Sequence, residues 1–118
     1  AKGMFDLMKE SLVGVKNVKF TNKLKNHPVC LSTEGAISLE MEKIMNSMPT
    51  GEEVKADIVL EINEKHPIAD KLHELYISDK EALADYTKIL YNQARLIEGL
   101  SIDNPTELTN LICDLMSK

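Results

Sequence analysis

Tryptophan is absent from this 118-residue chain, and two phenylalanines and three tyrosines are its only large aromatic side chains. With a formal net charge of −5 it lacks the basic, stacking surface on which single-stranded nucleic acid is bound, so no nucleic-acid partner is expected. Cysteine is scarce as well. Cys30 and Cys113 stand far apart and form neither a disulfide framework nor a metal-ligand spacing, which fits a reducing compartment. No apolar run approaches the roughly 18 to 20 residues of a membrane span, so no membrane partner is expected either. GxGxxG, Walker and GxSxG motifs are missing, so nucleotide binding and serine hydrolase chemistry have no anchor here. The chain opens at Ala1 without the charged, apolar and small-residue layout of a signal peptide, and it reads as a piece of a longer protein.

What is present is an ordinary globular composition, 43% apolar and 28% charged, in a length that suits one domain over residues 1–118. Charge is uneven. Lys2, Lys9, Lys16, Lys19, Lys23 and Lys25 face only Asp6 and Glu10 in the first thirty residues, while the remainder is acidic. This basic segment reads as a solvated strand face rather than a phosphate site.

Phe5, Leu7, Met8, Leu12 and Val13 have helical spacing, and Gly14 ends the run. From Val15 to Leu24 the period is two, with Val18, Phe20 and Leu24 opposite Lys19, Lys23 and Lys25, which predicts a half-buried strand. Asn26, His27 and Pro28 mark a turn, and PVCLST supplies a second strand, so the two are expected to pair as an antiparallel hairpin. Ile58, Leu60 and Ile62 predict a third strand closed by Asn63. Pro67 then opens a short helix through Ile68, Leu72, Leu75 and Tyr76.

Ser78 followed by Glu81 reads as a capping box for a long helix carrying Leu83, Tyr86, Leu90, Ala94 and Ile97 until Gly99. Asn104, Pro105 and Glu107 start a last helix with Leu108, Leu111, Ile112 and Leu115 on its apolar face. The link GLSID is short, so these helices are neighbours. Ile89, Tyr91, Leu96, Leu100 and Met116 fall outside the main stripes, and a single hairpin on one small sheet would leave some of them wet. Pairing with the hairpin of a second copy would cover them, which predicts a homodimer through a four-helix bundle. The fold class is therefore α+β: a three-stranded sheet with five helices, ending in a helical hairpin.

Residues 37–49, ISLEMEKIMNSMP, place Ile37, Met41, Ile44, Met45 and Met48 at i, i+4, i+7, i+8 and i+11, a single stripe if the segment is helical. On periodicity alone that stripe reads as the chain's own core. Catalysis has little support. His27 near Cys30 is the only arguable base and thiol, with no third group suggested, and His66 with His73 lacks a zinc spacing. A buried cysteine and capping or solvent-facing histidines are the simpler readings, and neither a catalytic, a cofactor-binding nor a metal residue is assigned.

Taken together and in order, PVCL, MEKIM, LEINEKHP, ILYNQARLIEG and DNPTEL resemble the carboxyl-terminal domain of the heat shock protein 90 chaperone family in its compact bacterial form. The resemblance runs from about Leu12 to the end. It implies an ATP-driven homodimeric chaperone whose nucleotide site, with ATP and magnesium, lies in domains absent from this chain, so the chain itself would not be an enzyme. It implies a dimer interface at Leu90, Ala94, Ile97, Leu108, Leu111, Ile112 and Leu115. It also implies contact with unfolded or partly folded client proteins at Ile37, Met41, Ile44, Met45 and Met48, which reverses the core reading of the methionine stripe. The closing LMSK is neither a co-chaperone-recruiting nor a retention tail, so the resemblance favours bacterial cytoplasm, with an organelle as the alternative. The competing functions are a generic dimeric adaptor without a chaperone role and a small thiol enzyme.

Overall fold

The computed structural model describes residues 2–12, 14–22, 27–35, 40, 41, 44, 57–102 and 104–117. In chain order these form α1 (Lys2–Glu10), β1 (Val15–Thr21), β2 (Val29–Glu34), β3 (Asp57–Asn63), α2 (Pro67–Ser78), α3 (Lys80–Ile97) and α4 (Pro105–Met116). The class is α+β, a three-stranded mixed sheet with four helices among the described residues, ending in a helix. The expected fifth helix belongs to the methionine stretch, of which only Glu40, Met41 and Ile44 are described, all three helical.

The sheet corrects one expectation. Its order is β1-β3-β2, with β3 parallel to β1 and antiparallel to β2. The first two strands do run in opposite directions, but they do not pair, because β3 lies between them. The reason is in β3 itself: Ile58, Val59, Leu60 and Ile62 are all buried, on both parities of the strand. A strand covered on both faces belongs at the centre, and a hairpin of β1 with β2 would have pushed this near-continuous apolar run to an edge.

Register aligns the apolar positions. Val18 and Phe20 lie beside Leu60 and Ile62 on one side, and Leu31 and Val29 lie beside the same residues on the other. A register shift between Val15 and Asn17 lets both Val15 and Val18 face inward, although three positions separate them. Lys16 and Lys19 are exposed on β1, as a solvated strand face requires. The strand ends at Thr21, and Lys23, Leu24 and Lys25 lie outside the described residues.

One face of the sheet packs against α1, α2 and α3 in a core containing Met4, Met8, Leu60, Ile62, Leu72 and Leu83, all fully buried. Met4 and Met8 lie one turn apart on α1, and Phe5 meets Phe20 edge to face with ring centroids 4.8 Å apart. In α2, Pro67 takes the first turn and His66 is the cap, its Nδ1 accepting from the Ile68 amide at 3.1 Å.

The start of α3 is a second correction. Asp79, not Ser78, is the cap, with Oδ1 accepting from the Ala82 amide at 3.1 Å. Ser78 is the last residue of α2, and its hydroxyl donates back to the Glu74 carbonyl at 2.8 Å. Two helices abut here with a single residue between them, so the acidic side chain at the junction takes the role assigned to its neighbour.

Candidate functional site

Among the described residues, the carboxyl-terminal helical hairpin holds three of the six exposed large apolar side chains, Leu96, Ile97 and Met116. Along α3, Leu83, Thr87, Ile89, Leu90 and Ala94 are buried, and Thr87 satisfies its hydroxyl by donating to the Leu83 carbonyl at 2.7 Å. The final turn breaks this pattern, since Leu96 is 56% exposed and Ile97 is 49% exposed. Gly99 then takes φ +72°, a left-handed conformation that reverses the chain, and the Leu100 amide donates to the Arg95 carbonyl at 2.8 Å.

Asn104 caps α4 as the sequence predicts, its Oδ1 accepting from the Glu107 amide at 3.0 Å. Lys88 of α3 and Glu107 of α4 approach to 3.9 Å across the hairpin. On α4 only Leu108 is buried; Leu111, Ile112 and Leu115 are half-buried, and Met116 is 78% exposed. A helix holding one buried residue in twelve leaves most of its apolar stripe available to another surface.

The residues expected at an interface therefore divide in two. Leu90 and Ala94 lie in the chain's own core, and Leu108 is buried on α4. Ile97, Leu111, Ile112 and Leu115 retain accessible surface. Of the five residues outside the main stripes, Leu96 and Met116 are exposed, Tyr91 and Leu100 pack partly against the core, and Ile89 is buried.

In the methionine stretch, Met41 and Ile44 are about half exposed, and Ile37, Met45 and Met48 lie outside the described residues. The thiol of Cys30 is half-buried and lies 4.0 Å from Glu61 Oε2, its cross-strand partner, while the His27 carbonyl accepts from Asn63 Nδ2 at 3.1 Å. His73 rests against the Phe20 ring. Sequence reasoning overlooked Arg95, whose guanidinium bridges the end of α3 to the link before α4. Its signal was a basic residue in the last helical turn, four places after a tyrosine.

These features define a small α+β domain that ends in a helical hairpin with an incompletely covered apolar side. The chain belongs to the Hsp90 protein family, whose model matches residues 1–118. It is 54% identical over 116 residues to the chaperone protein HtpG of Clostridium botulinum (strain Langeland), a match covering 98% of this chain and 18% of that protein. It is 52% identical over 118 residues to the chaperone protein HtpG of Alkaliphilus metalliredigens, covering 99% of this chain and 19% of that protein. A third HtpG, from Clostridium perfringens, is 52% identical over 116 residues. The chain thus spans less than a fifth of the length of these curated relatives.

Proposed function

We propose that this chain is the self-association and client-contact domain of an ATP-dependent molecular chaperone of the bacterial cytoplasm. The observation that carries the reading is the apolar surface of the carboxyl-terminal hairpin, where Leu96, Ile97 and Met116 are exposed and Leu111, Ile112 and Leu115 are only half-buried. A second copy of the same hairpin would cover both helices at once in a closed, two-fold arrangement. Ile97, Leu111, Ile112 and Leu115 would make that contact, with Leu90, Ala94 and Leu108 holding the helices in place from behind. ATP and magnesium would be bound by the more than four-fifths of the relatives' length that lies outside this chain.

Client contact is placed on the methionine stretch, through Met41 and Ile44 together with Ile37, Met45 and Met48. Unbranched, polarizable methionine adapts to many apolar partners, the property a non-selective surface needs. Half-exposed Met41 and Ile44 support this placement.

Sedimentation equilibrium tests the first half. The chain should be dimeric at concentrations on the order of tens of micromolar, and Leu111→Ala with Leu115→Ala should raise the dissociation constant about 100-fold by removing buried apolar area. A monomer at those concentrations would sink the reading. The second half is tested by suppression of aggregation of a heat-labile protein: Met41→Ser with Ile44→Ser should weaken it while dimerisation is unchanged. Equal suppression by the variant would remove the methionine stretch from client contact, and no suppression by the unmodified chain would favour a dimeric adaptor.

A further inference from the structure

What sets the direction in which α4 leaves α3 is not a hydrophobic core. Among the described residues, Leu108 is the one buried residue of α4, and α3 is the one element against which the helix packs to more than a marginal extent. Beneath its first turn lies a cleft of about 270 Å³ lined by Ser11, Leu12, Lys88, Tyr91, Asn104 and Leu108, so the start of the helix is not filled in from the side of α1. Packing of this kind permits rocking. The angle is then set by the link that begins at residues 98–102 and by polar contacts near it.

Arg95 supplies those contacts. Its Nε donates to the Ser101 carbonyl at 2.7 Å, its Nη1 donates to the Tyr91 hydroxyl at 3.1 Å, and its guanidinium carbon lies 5.7 Å from the centre of the Tyr91 ring. The tyrosine sits one turn earlier on the same helix and aims the planar fork, which then grips the link from one side. From the same residue, the backbone carbonyl accepts from the Leu100 amide at 2.8 Å. Backbone and side chain of Arg95 therefore hold two successive residues of the link. Lys88 and Glu107, at 3.9 Å, add a weaker tie further along.

We propose that Arg95 is the positioning residue of the hairpin: anchored on Tyr91, it fixes the path of the Leu100–Ser101 link, hence the angle of α4, and through that angle the self-association of the domain. The last clause rests on the self-association proposed above; the first does not. Arg95 adjoins the exposed Leu96 and Ile97, and its side-chain bonds to Ser101 and Tyr91 both stay within the hairpin. Lysine is a poor replacement because it offers a point charge instead of a fork with fixed donors.

The test compares the 118-residue chain with Arg95→Ala, Arg95→Lys and Tyr91→Phe, reading amide hydrogen exchange at dilutions where the protein is monomeric and the dimer dissociation constant separately. Arg95→Ala should accelerate exchange at Leu100 and through α4 while the sheet amides of β3 are unchanged, and it should weaken the dimer about tenfold or more, as loss of a charge-assisted fork implies. Arg95→Lys and Tyr91→Phe should give the same pattern at smaller size, which guards against an alanine variant that unfolds. Exchange in α4 equal to that of the unmodified chain in all three variants would overturn the assignment. So would faster exchange spread equally over β3, which would mark Arg95 as a general stability residue. If the unmodified chain is itself monomeric, the self-association reading fails and the positioning role stands or falls on the exchange pattern alone. A dimer unaffected by Arg95→Ala, in a chain whose α4 does loosen, would overturn the coupling to self-association.

Discussion

Asn63 is 1% exposed, and both ends of its carboxamide are engaged: Nδ2 donates to the His27 carbonyl and Oδ1 accepts from the Lys65 amide, each at 3.1 Å. Its own amide donates to the Pro28 carbonyl at 2.9 Å, so one side chain and one peptide join the entry of β2 to the exit of β3. Asn63→Ala would remove both of these part-buried hydrogen bonds, and at about 1 kcal/mol each a loss of about 2 kcal/mol is expected. Urea denaturation checks it: the midpoint should fall with the slope unchanged. Methionine shows the limit of reading single residues. Met4 and Met8 are fully buried, whereas Met41 is 45% and Met116 is 78% exposed. Local spacing is helical around all four, so periodicity identifies a face but not what covers it. That depends on which neighbour the fold brings up.

Most elements were legible because their ends carry chemistry that acts locally. Pro67 at the head of α2, Asn104 capping α4 and Gly99 behind α3 all act within a few residues of themselves. The boundary between α2 and α3 was misplaced for the same reason, since Ser78 and Asp79 are both good caps and only the backbone decides between them. A comparison of Asp79→Ala with Ser78→Ala separates the two. The first should cost about 1 kcal/mol of stability as a lost cap, and the second should stay within about 0.5 kcal/mol because its hydroxyl merely back-bonds on an exposed turn. Thermal unfolding resolves that difference. In the sheet, the strands were readable but their order was not. Burial on both parities of β3 is visible as Ile58, Val59 and Leu60 in a row, yet a short apolar run does not say which strands flank it.

For the whole molecule, the division is between a core closed by α1, α2, α3 and the sheet and a last helix set against α3. Removing residues from 104 onward deletes one buried leucine and three half-buried apolar side chains, about 5 kcal/mol of burial at about 2 for the first and about 1 for each of the others, part of which is returned as chain entropy. A domain of this size has roughly 5 to 15 kcal/mol to lose, so the truncated chain should keep its sheet by circular dichroism while forming no dimer. Collapse of the sheet would place α4 within the core instead. The order of segments PVCL, MEKIM, LEINEKHP, ILYNQARLIEG and DNPTEL was enough to identify the family, and the match over residues 1–118 bears this out. By itself the sequence determined where most helices and strands lie, the caps of α4 and the head of α2, and that family, because each depends on spacing and on residues close along the chain. Only the tertiary structure decided that β3 is central, that Leu90 and Ala94 face inward while Leu96 and Ile97 do not, and that Arg95 closes on Ser101. Those outcomes depend on which surfaces meet, and strands forty residues apart or helices turned by a few degrees meet through the summed burial of the whole core rather than through any local preference.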